Sequence, residues 1–191
     1  LAVGDPQQDI GNVETVLETL YNTCYYMEAT GNQYRFTLKE NLNKRFADRS
    51  ASVKDEHIEE MVLEEIKKVF SPVPGIERVF FPEKSGQIQD RHIITMVIMR
   101  PEQSIQDVPS ITQTIASMTS EHGQSSRTYK SALIWVISES AAQFRLEARK
   151  LIAWQDIAEE GLQLDDAQKK QLNFSLEKAK RDLKETAWRT Y

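Results

Sequence analysis

The sequence is poor in the residues that mark several large protein classes. Its 191 residues contain one cysteine, Cys24, so no internal disulfide framework can form, and a reducing compartment is the expected setting. The seven glycines are isolated, so there is no G-x-G-x-x-G turn to receive a dinucleotide. Nor is there a G-x-x-x-x-G-K-[ST] loop, which would cradle a triphosphate with backbone amides and a lysine. Three histidines, His57, His92 and His122, are scattered and have no second cysteine to complete a zinc set or a Cys-His dyad. A G-x-S-x-G nucleophile elbow is also missing. No apolar run approaches the roughly 20 residues of a membrane-spanning helix, and the N-terminus lacks the layout of a signal peptide. The expected location is therefore the cytoplasm, and no membrane partner is expected.

What is present describes a folded domain. Lys and Arg total 24 against 29 Asp and Glu, a net charge of -5, with 40% hydrophobic and 28% charged residues. That balance suits a globular chain with a substantial core. A nucleic-acid surface on such a chain must be a local patch. The chain begins at Leu1 rather than Met and stops at Tyr191 within a helical pattern, so it reads as a part of a larger protein.

Apolar periodicity supplies the elements. After a Gly4-Asp5-Pro6 lead-in, Val13, Val16, Leu17, Leu20, Tyr21 and Cys24 share one helix face over residues 10–25. Thr30-Gly31-Asn32 predicts a turn between the aromatic segments Cys24–Met27 and Tyr34–Thr37, hence a hairpin, with a short helix over 41–46 after it. A helix followed by such a wing is what a partial winged-helix unit would show. Residues 53–70 predict an amphipathic helix with acids early and lysines late, ended by Ser71-Pro72-Val73-Pro74-Gly75. A short strand is expected over 78–81 and a turn near Ser85-Gly86-Gln87. The apolar runs His92–Met99 and Ser131–Ile137, separated by a helix over 109–121, predict a right-handed parallel βαβ crossover whose first strand is covered on both faces. Two long helices follow, over 141–160 and from 165 past Trp188.

The fold class expected is α+β with α/β character. Residues 1–52 form a helix and hairpin unit, and 53–191 an α/β unit with a C-terminal helical hairpin. The break falls in the polar stretch between Asp48 and Asp55.

Two groups of residues suggest binding. Lys39, Lys44, Arg45 and Arg49 lie beside the aromatics Tyr34 and Phe36, a combination that suits phosphate contact and base stacking. The competing reading makes the aromatics a small core and the charges its solvated rim, since Glu28, Glu40 and Asp48 dilute the patch. Arg127 and Lys130, in Ser125-Ser126-Arg127-Thr128-Tyr129-Lys130, could meet a phosphate or an acidic partner, and the competing reading gives Arg127 a structural or interdomain ion pair. They precede a strand, however, whereas ligands of parallel sheets gather at strand C-terminal ends. At those ends, near Ser138-Glu139-Ser140 and Arg100-Pro101-Glu102, only Glu102 and Glu139 are candidate acids for a nuclease or phosphatase.

Several stretches together resemble one family. They are Tyr34-Arg35-Phe36-Thr37 with Asn41-Leu42-Asn43 and Ala47-Asp48-Arg49, then Ser126-Arg127-Thr128-Tyr129-Lys130-Ser131-Ala132-Leu133-Ile134, and finally Ala148-Arg149-Lys150-Leu151-Ile152-Ala153-Trp154. From about Val13 to Trp188 the chain is similar to the region downstream of the P-loop core in large prokaryotic AAA+-like ATPases of a domain-of-unknown-function family. Genes for that family often lie beside DNA methyltransferases in phage-defence clusters. The resemblance implies a non-catalytic coupling or partner-binding region, with ATP and Mg belonging to the parent protein and no cofactor to this chain. The partner it implies is the rest of that ATPase, in an assembly that could be oligomeric; the alternative, which rests on Lys44, Arg45 and Arg49 with the Tyr34–Phe36 hairpin, is a stand-alone DNA-binding module. Ser131 stands where the family pattern favours Asn, and no nucleotide-contacting residue of the family has a counterpart here.

Overall fold

The computed structural model describes residues 10–31 and 33–191. The Gly4-Asp5-Pro6 lead-in and Asn32 of the expected turn lie outside the described residues. Helix and strand are mixed, as expected for α+β, and the chain divides into two compact units.

The first unit contains α1 (Ile10–Thr23), β1 (Met27–Thr30), β2 (Gln33–Phe36) and α2 (Leu42–Ser52). The hairpin pairs Met27 with Phe36 and Thr30 with Gln33, so its strands lie closer to the turn than the aromatic runs suggest. Gly31 takes a positive φ of 58° at that turn, a region open to glycine at little cost. Helix α2 extends six residues beyond its expected end at Phe46. Its polar second half has no apolar period to reveal it in sequence, but the face carrying Arg45 and Arg49 is paired. Asn41 starts the helix: its Oδ1 accepts from the amides of Asn43 and Lys44 at 3.0 and 3.3 Å. Its Nδ2 donates to the carbonyls of Tyr21 and Cys24, fastening α2 to the end of α1.

The same unit also includes residues 150–179. In this segment the C-terminal part of α5 (Ala142–Glu159) turns at Gly161, φ 68°, into the N-terminal part of α6 (Asp166–Thr190). Phe46 stacks on Trp154 with ring centroids 4.4 Å apart and planes 16° apart, and Met27, Leu42, Ile157 and Leu172 are buried. The unit is thus discontinuous in sequence, whereas sequence reading places the break near residue 53 and everything after it in one piece.

The second unit, residues 54–149 and 180–191, is built on a parallel sheet of β3 (Ile76–Phe80), β4 (Ile94–Ile98) and β7 (Leu133–Val136), with β4 central. Helix α3 (Asp55–Val69) precedes β3, and α4 (Val108–Ser120) crosses from β4 towards β7. Asp107 caps α4 by accepting from the Ser110 amide, and Pro109 sits in the first turn where its missing N–H costs nothing. Ile111 and Met118 of α4 pack with Val97, Met99 and Ile88 in a core that Val79, Leu133 and Trp135 complete. Adjacent residues Val97 and Ile98 are both fully buried, so the C-terminal half of β4 is covered on both faces as expected. Its first residue, Ile94, is half exposed.

Of two short elements, the turn at Ser85–Gln87 falls where it is expected, and the β5–β6 ladder carries no sequence signal. A two-residue ladder joins β5 (Glu121–His122) to β6 (Ser125–Ser126) around Gly123, and a 3-10 turn runs over Ser85–Gln87. Phe81 takes a left-handed φ of 54° just past β3, with its amide bonded to the Ile98 carbonyl at 2.8 Å.

Candidate functional site

In the first unit each cation of the expected basic patch has a carboxylate partner within that unit. Lys39 Nζ lies 2.7 Å from Asp165. Lys44 pairs with Asp48 one turn along α2 and sits 5.2 Å above the Tyr25 ring. Arg45 forks the two oxygens of Glu40 at 2.6 and 2.9 Å and turns its remaining nitrogen to Glu160 at 2.9 Å. Arg49, one turn further on, also pairs with Glu160. Two arginines on one face of α2 therefore share a single carboxylate at the end of α5.

These contacts shift proton affinities in a consistent sense. The hydrogen bond from Lys39 holds the Asp165 carboxyl below its ordinary value, and the same bond raises Lys39. Lys44, then the Tyr25 hydroxyl, hold Asp48 low, and the bond to Asp48 raises both of those donors. The bond to Glu40 raises Arg45 further. Asp48 and Asp165 therefore keep their charge at neutral pH, beside Lys44 and Lys39.

The aromatic half of the patch divides. Tyr34 meets Tyr21 edge-on at 6.2 Å and is half-buried, which makes it a packing residue. Phe36 is 76% exposed and Leu38 97% exposed, with Tyr26 beside them also exposed. The exposed part of this surface is therefore apolar, while its charges are compensated. Sequence reading picked out the cations and missed two of their counter-ions, Glu160 and Asp165. A signal did exist: Glu160 precedes the Gly161 helix stop, and an acid at a helix C-terminus opposes the dipole unless a cation holds it. Asp165 and Gln168 form a capping box, each accepting from the other's amide, at 2.8 and 3.1 Å.

Arg127 takes the structural role among its expected readings, with backbone carbonyls in place of an ion-pair partner. It does not reach outward to a phosphate or across to another domain; it is 2% exposed, inside the second unit. All five of its N–H groups are engaged: Nε with the Met118 carbonyl, Nη1 with those of Ile88 and Gln89, Nη2 with those of Ser85 and Glu121, at 3.1 to 3.3 Å. Burial lowers its proton affinity, Asp90 partly offsets that, and a guanidinium remains charged regardless. Asp90 itself accepts from the amides of Thr128 and Tyr129 at 2.8 and 2.9 Å, bonds that hold its carboxyl low. Lys130 is exposed at the start of a 3-10 turn, so it is the outward-facing member of that pair of candidates.

At the C-terminal end of β7 lies a cleft of about 420 Å³ lined by Glu139, Ser140, Gln143, Glu147, Asp182 and Arg189, among others. Glu147 is buried and accepts from Gln143 at 2.7 Å. Glu102, the other candidate acid, pairs with Arg145. Among the described residues no group of three or more His, Cys, Asp or Glu side chains is placed to hold a metal ion, and no helix is long and apolar enough to cross a membrane.

No protein-family model, curated protein or solved structure matches this chain.

Proposed function

We propose that this chain is a non-catalytic partner-binding or coupling region of a larger AAA+-like ATPase, acting in a DNA-related defence setting. The ATPase and its setting come from the sequence resemblance. One structural observation supports the partner-binding part of the reading. The hairpin unit exposes Phe36, Leu38 and Tyr26 beside cations that are already paired with the unit's own carboxylates. An apolar surface with compensated charge suits contact with protein, because phosphate recognition draws on unspent positive charge. ATP and Mg belong to the parent in this reading, and no residue here is assigned to them.

The test uses the full-length parent and the variant Phe36→Glu/Leu38→Glu. Both side chains are exposed, so the fold is expected to survive, with a thermal midpoint within about 2 °C of wild type. ATP turnover of the variant should lose its response to partner or substrate while basal turnover persists. An unchanged response would reject the surface, and ATP hydrolysis by the purified 191-residue chain would reject the non-catalytic assignment.

A further inference from the structure

We infer that Glu160 and Asp165 act as internal stand-ins for phosphate, shielding a nucleic-acid backbone site formed by Lys39, Arg45 and Arg49. All of these residues belong to the first unit. Arg45 and Arg49 lie one turn apart on the same face of α2 and converge on one acceptor, Glu160, which is the geometry in which two arginines grip a phosphate. Lys39 is directed to a second acceptor, Asp165, five residues further along the chain. Tyr25 is part exposed beside these cations, with Lys44 over its ring and its hydroxyl bonded to Asp48.

Charge arithmetic shows why the site is silent in this state. The cations are Lys39, Lys44, Arg45 and Arg49, four in all, and their partners are Glu40, Asp48, Glu160 and Asp165, also four, so the cluster is neutral. Glu40 and Asp48 adjoin the cations in sequence, whereas Glu160 and Asp165 come from the turn between α5 and α6. Displacing those two carboxylates leaves the cluster at +2. The displacement has a cost, since the Glu160 side chain is only 19% exposed and Asp165 Oδ1 also accepts from the Gln168 amide at the start of α6, whereas Lys39 is half exposed and free to turn. A polyphosphate that binds must compete with them, so the shield sets a threshold for binding. This inference is independent of the proposed ATPase partnership.

The experiment is fluorescence anisotropy of the full chain with a labelled DNA duplex at low salt. Its key variant is Glu160→Gln/Asp165→Asn. Asn is a good helix cap, so the Asp165→Asn change preserves the start of α6, and Gln keeps the volume of Glu160. The double variant should bind at least about tenfold tighter than wild type, with an affinity that falls steeply as salt rises. Adding Arg49→Gln to that variant should remove the gain. Binding no tighter than wild type, in a variant with an unchanged melting profile, overturns the inference. So does a gain that survives Arg49→Gln, since that gain would come from lost net negative charge alone. If the double variant fails to fold, Glu160→Gln alone and an NMR titration of the wild-type arginine Nε–H signals with the same duplex decide the question. Shifts confined to residues other than Arg45 and Arg49 then reject the site.

Discussion

At the scale of single residues, Arg127 shows how environment sets the role of a charge. Residue type and a serine-rich setting suggest anion contact, yet the guanidinium ends among five backbone carbonyls, two of them, of Met118 and Ile88, in buried bonds. Arg127→Met should therefore cost about 3 kcal/mol or more in urea unfolding, because the apolar replacement removes the guanidinium from the buried carbonyls of Met118 and Ile88. Arg127→Lys should recover only part of that loss: an ammonium has three donors in place of five and cannot reproduce the planar fork. No sequence signal separates this arginine from a surface one. The difference lies in the carbonyls of Ser85, Ile88 and Gln89, some forty residues away in the chain.

Among elements, those with an apolar period were legible and those built from polar contacts were not. The spans of α1, α3, α4, α5 and α6 and the runs of β4 and β7 fell within a few residues of their observed positions, and in α3 to α6 and β4 burial imposes those spacings directly, although Val16 of α1 is 64% exposed. The second half of α2 and the β5–β6 ladder rest on hydrogen bonds and ion pairs, which leave no period to read. The link between α2 and α5 is likewise invisible in sequence but strong in packing. Phe46→Ala removes the stack on Trp154 and should lower unfolding free energy by about 2 kcal/mol, while the near-UV circular dichroism of that tryptophan collapses. The same substitution should leave the β3–β4–β7 sheet formed, which hydrogen exchange can check by protection of the Val97 amide.

For the whole molecule, acid sensitivity follows from three aspartates. Asp48, Asp90 and Asp165 have folded-state proton affinities below their ordinary values, owing to Lys44, to the Thr128 and Tyr129 amides, and to Lys39 respectively. Each therefore stabilises the fold fully above the unfolded carboxyl range, near pH 4, and loses that contribution as pH falls through its lower folded value. Unfolding measured from pH 7 down to pH 2 should show stability declining below about pH 4, and Asp90→Asn should flatten part of that slope. The fold class was legible because α3, α4, α5, α6 and the central strand β4 carry apolar spacings that are buried in the folded chain. The pairing of residues 150–179 with the N-terminal unit was not, because it depends on Trp154, Glu160 and Gln168 meeting partners more than a hundred residues earlier. The caging of Arg127 has one more consequence, for proteases. Trypsin needs an accessible basic side chain on a segment that can extend into its cleft, and Arg127 offers neither until the second unit opens, whereas Lys130, three residues on, is exposed. Cleavage after Arg127 thus reports opening of the second unit, and its rate serves as an internal clock of how often that core comes apart.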